Sequence, residues 1–218
     1  MATTPIMQIA VSDADATPLA ILTRAAAEID RYHELRARLM GESRYPRVLL
    51  EKVPTSVPGQ IAIRVHLTLP DTDDAQHFAP LQILLEALTQ INEHQIRAAR
   101  AAGVRLPPLY ESGVRYREEA PGQEDWPDIP TILANGWGDC EDLVGYRAAE
   151  LRDAGIDADP VLKWQFIPRE LMIAKGYPKK HVPKRGVWLV HCLVRYPDGT
   201  IEDPSKLLGM GGSFLQRI

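Results

Sequence analysis

Hydrophobic and polar residues follow two different periods in the N-terminal half of this chain. Residues 17–41 and 80–103 each begin at or beside a proline, carry apolar side chains at helical spacing and end at a glycine, so they predict two long helices. Residues 61–69 alternate apolar and polar positions, which predicts a half-buried strand, and residues 48–53 predict a shorter one. Residues 1–16 lack a strong period and predict a loose arm or a short edge strand.

The C-terminal half begins with an irregular, proline-rich stretch and continues with helix and strand patterns. A connection as long as residues 104–130 is expected to wrap a site or to contain a short strand. After Cys140 a helical pattern runs to Gly155, residues 157–166 predict a returning strand, and residues 188–205 predict a hairpin.

Together these elements predict an α+β fold. Residues 104–218 are expected to form the core, and residues 1–103 to form a helix, strand and helix region that packs on it. The length of 218 residues allows either one large domain or a core with an N-terminal appendage.

Composition argues against several broad classes of protein. Hydrophobic residues make up 45% of the chain, which is enough for a core and argues against global disorder. The net charge is -4 and no long basic run is present, which disfavours nucleic-acid binding. The apolar stretches are too short for a membrane span, and residues 1–5 lack the features of a signal peptide, so we expect synthesis in the cytosol.

Cys140 is the candidate nucleophile of this chain. It lies where a glycine-bearing loop turns into a helix, with Asp139 placed to cap the first turn. Unpaired backbone N–H groups and the positive end of the helix dipole favour a thiolate at such a position. Asp139, Glu141 and Asp142 act in the opposite direction, because negative neighbours raise the pKa of a thiol. The sequence alone does not decide which effect is larger.

A base and an orienting carboxylate are available in the predicted hairpin, as His191 and Asp203. The loop residues 197–199, Pro-Asp-Gly, suit a three-residue hairpin loop with glycine at the left-handed position. In that register Asp203 opposes Leu193 and shares a sheet face with His191, whereas a two-residue loop would separate them. Asp203 can then hold the His191 ring, and His191 can serve Cys140. The mechanism requires His191 on the sheet face that meets Cys140.

Cys192 is the second of the two cysteines. It shares a strand face with Val190 and Val194, opposite His191. If His191 faces Cys140, then Cys192 faces away and is expected to be a small buried hydrophobe rather than a disulfide partner.

The order of these motifs resembles the transglutaminase-like superfamily. Residues 138–142, Gly-Asp-Cys-Glu-Asp, open a helix, His191 lies on a strand, and Asp203 and Pro204 follow a hairpin. The resemblance covers residues 106–210, about half of the chain. It implies a papain-like core, in which a helix packs against an antiparallel sheet and a Cys-His-Asp triad forms the active site.

Residues 109–116 and 126–130 are also similar to small transglutaminase-like proteins encoded among tailed-phage structural genes. In the superfamily, a side chain upstream of the cysteine often joins the cysteine N–H in the oxyanion hole. The resemblance therefore makes Tyr116, Trp126 and Asn135 candidates for that role.

Three functions remain open at this point. The first is cysteine-dependent acyl transfer on amide bonds of a protein or peptide substrate, as a cytoplasmic peptidase, amidase or transglutaminase that needs no metal or organic cofactor. The second is a catalytically silent transglutaminase-like scaffold with a structural or binding role, for instance among phage structural proteins in a virion. The third is a metal-binding protein that uses Cys140, His191 and an aspartate.

Overall fold

The computed structural model describes most of the chain, and it shows an α+β fold. The described residues are 5–12, 14–39, 41, 47–56, 58–67, 78–119, 125–174, 176, 178–179, 182, 184 and 186–211. No helix among them combines the length and the apolar character that crossing a membrane would require.

The N-terminal half contains two long helices and a three-stranded antiparallel sheet. The helices are α1 (Thr17–Leu39) and α2 (Ala79–Ala101). Strands β1 (Pro5–Ser12), β2 (Leu49–Pro54) and β3 (Gln60–His66) pair in the order β1-β3-β2. The predicted helices and strands of this half are confirmed, and the N-terminal segment is the edge strand.

The segment before the cysteine helix is more regular than its sequence suggests. A 3-10 turn (Leu109–Glu111) leads to β4 (Arg115–Tyr116), which pairs in parallel with β5 (Trp137–Gly138), so the expected short strand is present. Between the two strands lies α3 (Ile129–Asn135), a helix that was not predicted. It begins because Asp128 accepts the backbone N–H of its third residue, and it ends at a left-handed glycine.

The cysteine helix, α4 (Cys140–Asp153), is followed by strand β6 (Asp159–Pro168) and the short helix α5 (Arg169–Ala174). Strands β6, β7 (Gly186–Arg195) and β8 (Ile201–Glu202) form a second antiparallel sheet, in that order.

The short helix α6 (Pro204–Leu207) follows directly after β8. The β7-β8 hairpin has the predicted three-residue loop, because Tyr196 N–H donates to Thr200 O at 2.8 Å and Gly199 has a φ of +85°. This register places Asp203 diagonally opposite His191, as predicted.

The two halves of the chain share one hydrophobic core. Helix α2 packs against both α1 and α4, and α4 covers one face of the β6-β7 pair. The α2-α4 contact is close because α4 presents Gly145 there: a Cβ at this position would lie 3.1 Å from Leu88 Cδ2. The N-terminal region therefore supports the helix that carries Cys140.

Candidate active site

The first turn of α4 positions Cys140. Asp139 is the N-cap and forms a capping box with Asp142, whose Oδ2 accepts the Asp139 backbone N–H at 3.1 Å. The chain can approach this turn closely because residue 138 is glycine: a Cβ there would lie 3.0 Å from Asp142 Cβ. Cys140 is therefore held at the N-terminus of the helix, as its sequence context predicts.

The Cys140 thiol contacts a second thiol and a carboxylate. Its Sγ donates to Glu141 Oε2 at 3.1 Å, and it also interacts with the side chain of Cys192. The two sulfurs and a Glu141 carboxylate oxygen all lie within 4.8 Å of one another. Cys140 is partly buried, whereas Glu141 and Cys192 are buried.

These surroundings oppose formation of a thiolate. The hydrogen bond with Cys192, burial and the negative charge of Asp139 raise the pKa of Cys140 well above its ordinary value, and the opposing contribution of Glu141 does not offset them. These side chains therefore raise the pKa of Cys140, whereas the helix dipole acts to lower it. In the state that the structure describes, Cys140 is a protonated thiol at neutral pH.

The position of Cys192 corrects one expectation. The sequence predicts that Cys192 faces away from Cys140 if His191 faces it, but the Cys192 side chain lies beside Cys140. The reason is that α4 covers the sheet face formed by the even-numbered positions of β7, which also carries the buried Val194 and the partly buried Trp188 and Val190. Cys192 is still buried, as expected, but its partner is a thiol.

His191 and Asp203 come together as predicted. His191 Nε2 lies 3.1 Å from Asp203 Oδ2, and Asp203 Oδ1 accepts the backbone N–H of Lys206 at 3.1 Å. Burial raises the pKa of Asp203, but the hydrogen bonds with His191 and Lys206 outweigh it and leave that pKa below its usual value. An ionised Asp203 accepts the Nε2 proton, and Nδ1 of the ring is then the basic nitrogen.

The strand ladder separates His191 from the face that carries Cys192. The pairing of β6 with β7 is continuous, with His191 opposite Lys163 and Cys192 opposite Leu162. Successive side chains of a strand project from opposite faces. His191 therefore leaves the strand on the side away from Cys192 and α4, so the sheet face that meets Cys140 is not the one that carries His191, contrary to what the triad requires. The contacts that hold the Cys140 thiol come from Cys192 and Glu141.

The three oxyanion candidates differ in their position. Tyr116 pairs with Gly138, next to the start of α4, and burial followed by the charge of Cys140 raises the pKa of its hydroxyl. Trp126 is buried in the main core, and its indole N–H has no acceptor among the described residues. Asn135 is exposed at the end of α3. Of the three, Tyr116 is the one whose hydroxyl interacts electrostatically with Cys140.

Two groups of side chains near Cys140 have metal-binding chemistry. One consists of Cys140, Glu141 and Cys192, and the other of Asp139, Glu141 and Asp142. Sequence reasoning did not find Cys192 or Glu141 as members of a site. The available signal was the more apolar character of the even-numbered positions of β7, which favours that face for burial under α4.

Comparisons with known proteins return no matching family model, no matching curated protein and no matching solved structure.

Proposed function

We propose that this protein is a cysteine-dependent acyltransferase or hydrolase of the transglutaminase-like kind, acting on amide bonds of a protein or peptide. The observation that carries the proposal is the hydrogen bond between His191 Nε2 and Asp203 Oδ2, on the hairpin next to the helix that begins at Cys140. The residues Cys140, His191 and Asp203 follow one another in the order of a papain-like triad, with an oriented imidazole and a thiol at a helix N-terminus, although His191 leaves β7 on the face away from Cys140.

The proposed reaction passes through a thioester. Cys140 Sγ attacks the amide carbonyl while Nδ1 of His191 takes the thiol proton, and the carbonyl electrons move onto oxygen. The backbone N–H of Cys140 and the hydroxyl of Tyr116 stabilise this oxyanion. As the C–N bond breaks, His191 returns the proton to the leaving amine. Water or a second amine then attacks the thioester, which gives hydrolysis or transamidation respectively.

The reaction requires a change in the partners of Cys140. In the described state the thiol is protonated and is held by Cys192 and Glu141. Because His191 lies on the other face of β7 in this state, acyl transfer requires Cys140 or the β7-β8 hairpin to rearrange before Nδ1 can accept the thiol proton. The proposal therefore predicts that His191 contributes to the reactivity of Cys140, and this dependence can be measured.

A second candidate function is a transglutaminase-like scaffold without catalysis, with a structural or binding role such as a component of a phage particle. The observation that favours it is the buried contact of Cys140 with Cys192, together with the raised pKa of the Cys140 thiol. A thiol in such surroundings is an inert packing residue in many proteins.

Substitutions of Cys140 and Asp203 test the proposal. Purified protein is incubated with a peptide pool in the presence and absence of a labelled primary amine, and mass spectrometry detects cleaved, deamidated or amine-linked products. Cys140→Ala is expected to abolish product formation, and Asp203→Asn to reduce it by about 10²- to 10⁴-fold, because the ring loses the negatively charged acceptor that fixes its tautomer.

Circular dichroism checks that each variant remains folded. Products that persist in Cys140→Ala would contradict the proposal. Full biological function of a folded Cys140→Ala protein would favour the scaffold instead.

A further inference from the structure

The cluster formed by Cys140, Glu141 and Cys192, called the thiol cluster here, is not explained by the triad. Its members come from two elements far apart in sequence, the first turn of α4 and the middle of β7. The two sulfurs and a carboxylate oxygen lie within 4.8 Å of one another, and Cys140 Sγ lies 3.1 Å from Glu141 Oε2. Acyl transfer by His191 and Asp203 uses neither Cys192 nor Glu141.

The donor atoms of the thiol cluster suit a particular class of metal ion. Two thiolates and one carboxylate are ligands of Zn²⁺, which binds sulfur at about 2.3 Å and carboxylate oxygen at about 2.0–2.2 Å in a tetrahedral arrangement. Ligand atoms around such an ion lie roughly 3–4 Å apart. The separations in the thiol cluster are compatible with this arrangement.

The charge around Glu141 gives an independent reason to expect a cation. Glu141 is 6% exposed, its carboxylate accepts from the Cys140 thiol at 3.1 Å, and carboxylate oxygens of Asp139 and Asp142 lie within 4.8 Å of it. A buried carboxylate is costly unless it is paired with a positive charge or coordinates a metal. A divalent cation bound to the two sulfurs and to Glu141 would supply that charge.

We propose that Cys140, Glu141 and Cys192 form a binding site for Zn²⁺ or a similar thiophilic divalent ion. Binding forms two metal–sulfur bonds and one metal–oxygen bond; the two thiol protons, and the Glu141 proton where that carboxyl is protonated, pass to solvent. The fourth coordination position remains open to water or to an exogenous ligand on the side where Cys140 is partly exposed. The proposal does not depend on acyl transfer, but a metal on Cys140 would block the proposed nucleophile.

Cobalt titration of the full chain tests the site. The protein is kept anaerobic, and a thiol assay first confirms that both cysteines are reduced. Addition of Co²⁺ to the wild-type protein is expected to give a thiolate-to-cobalt charge-transfer band at one equivalent, and Zn²⁺ is expected to abolish the band by displacement.

Three variants identify the ligands. Cys192→Ala is expected to lose the band, and Glu141→Gln to weaken Co²⁺ binding by about tenfold or more. His191→Ala is the matched control and is expected to keep the band, which separates the thiol cluster from a site built from Cys140, His191 and an aspartate. A band that persists in Cys192→Ala, or one that disappears in His191→Ala, would overturn the proposal.

A second measurement uses only the wild-type protein, so that misfolding of a variant cannot obscure the answer. Stoichiometric Zn²⁺ is expected to protect both cysteines from alkylation, as counted by intact mass. Unprotected thiols together with no cobalt band in fully reduced protein would rule out the metal site. That outcome would leave acyl transfer untouched, because acyl transfer is judged by the triad variants in metal-free buffer.

Discussion

Two buried acidic side chains near the start of α4, Glu141 and Asp142, have raised pKa values. Burial and then the charge of Asp139 raise the pKa of Asp142 well above its ordinary value, and burial followed by Cys140 and Asp142 does the same for Glu141. A folded-state pKa that is raised means that folding is favoured below it and is penalised as pH rises through it. The site that contains Cys140 is therefore a local source of instability at neutral pH.

Substitution of Asp142 by Asn tests this penalty. Asp142 is fully buried, its Oδ2 accepts the Asp139 N–H, and its Oδ1 has no hydrogen-bond partner among the described residues. Asn keeps the acceptor but cannot ionise. We expect Asp142→Asn to raise the free energy of unfolding at pH 7.5 by about 1 kcal/mol or more, and to flatten the decline of stability between about pH 4 and pH 7.5.

Urea unfolding at pH 5 and pH 7.5 measures both effects. Wild-type protein is expected to be more stable at pH 5 than at pH 7.5, since raised pKa values of Asp142 and Glu141 favour the folded state at the lower pH and this advantage is lost as pH rises. If Asp142→Asn were instead less stable than the wild type by the same amount at both pH values, the prediction would be wrong, and the Asp142 carboxylate would be a net stabilising group.

At this same scale the sequence predicts one pair of residues and misses another. The pairing of His191 with Asp203 is predictable because Pro197-Asp198-Gly199 sets the hairpin register locally. The contact of Cys140 with Cys192 is not, because it depends on which face of β7 lies under α4. That choice is made by packing between elements distant in sequence.

Among the secondary-structure elements, α3 was not predicted, as α5 and α6 were not, although the signals for α3 are present in the sequence. Asp128 caps it, with Oδ1 accepting from Thr131 N at 3.1 Å and from Thr131 Oγ1 at 2.6 Å, and Oδ2 also accepts from Gln95 Nε2 on α2. The helix is seven residues long and proline-bearing, so its hydrophobic period is too short to stand out. Asp128 links this short helix to α2.

Removal of this cap gives a prediction for α3. Asp128→Ala leaves the Thr131 N–H and the Gln95 amide without their acceptor, so we expect a loss of about 1–2 kcal/mol in the free energy of unfolding. Asp128→Asn, which keeps an acceptor for Thr131, is the matched control and should lose less. Urea midpoints at unchanged m-values measure both, and equal stability of Asp128→Ala and wild type would contradict the role of the cap.

At the scale of the whole molecule, one core unites residues on both sides of position 103. Helix α2 supports α4 through the Gly145–Leu88 contact, and α4 in turn covers β6 and β7. The α+β class and most elements are predictable from hydrophobic period and turn chemistry. The assembly of Cys140, Cys192 and Tyr116 is not, since it requires three elements to meet by tertiary packing.

Alkylation kinetics in a single-thiol protein test most directly whether His191 activates the Cys140 thiol. In Cys192→Ala the only remaining thiol is Cys140, and the largest contribution that raises its pKa is removed. Reaction with iodoacetamide from pH 6 to pH 10 is followed by intact mass, with and without the additional substitution His191→Ala.

We expect His191→Ala to slow alkylation at neutral pH by at least about tenfold, and Asp203→Asn to slow it as well, because a positioned base no longer accepts the thiol proton. Identical rates and identical pH profiles with and without His191 would contradict acyl transfer by this triad. The scaffold would then be the better description of the protein.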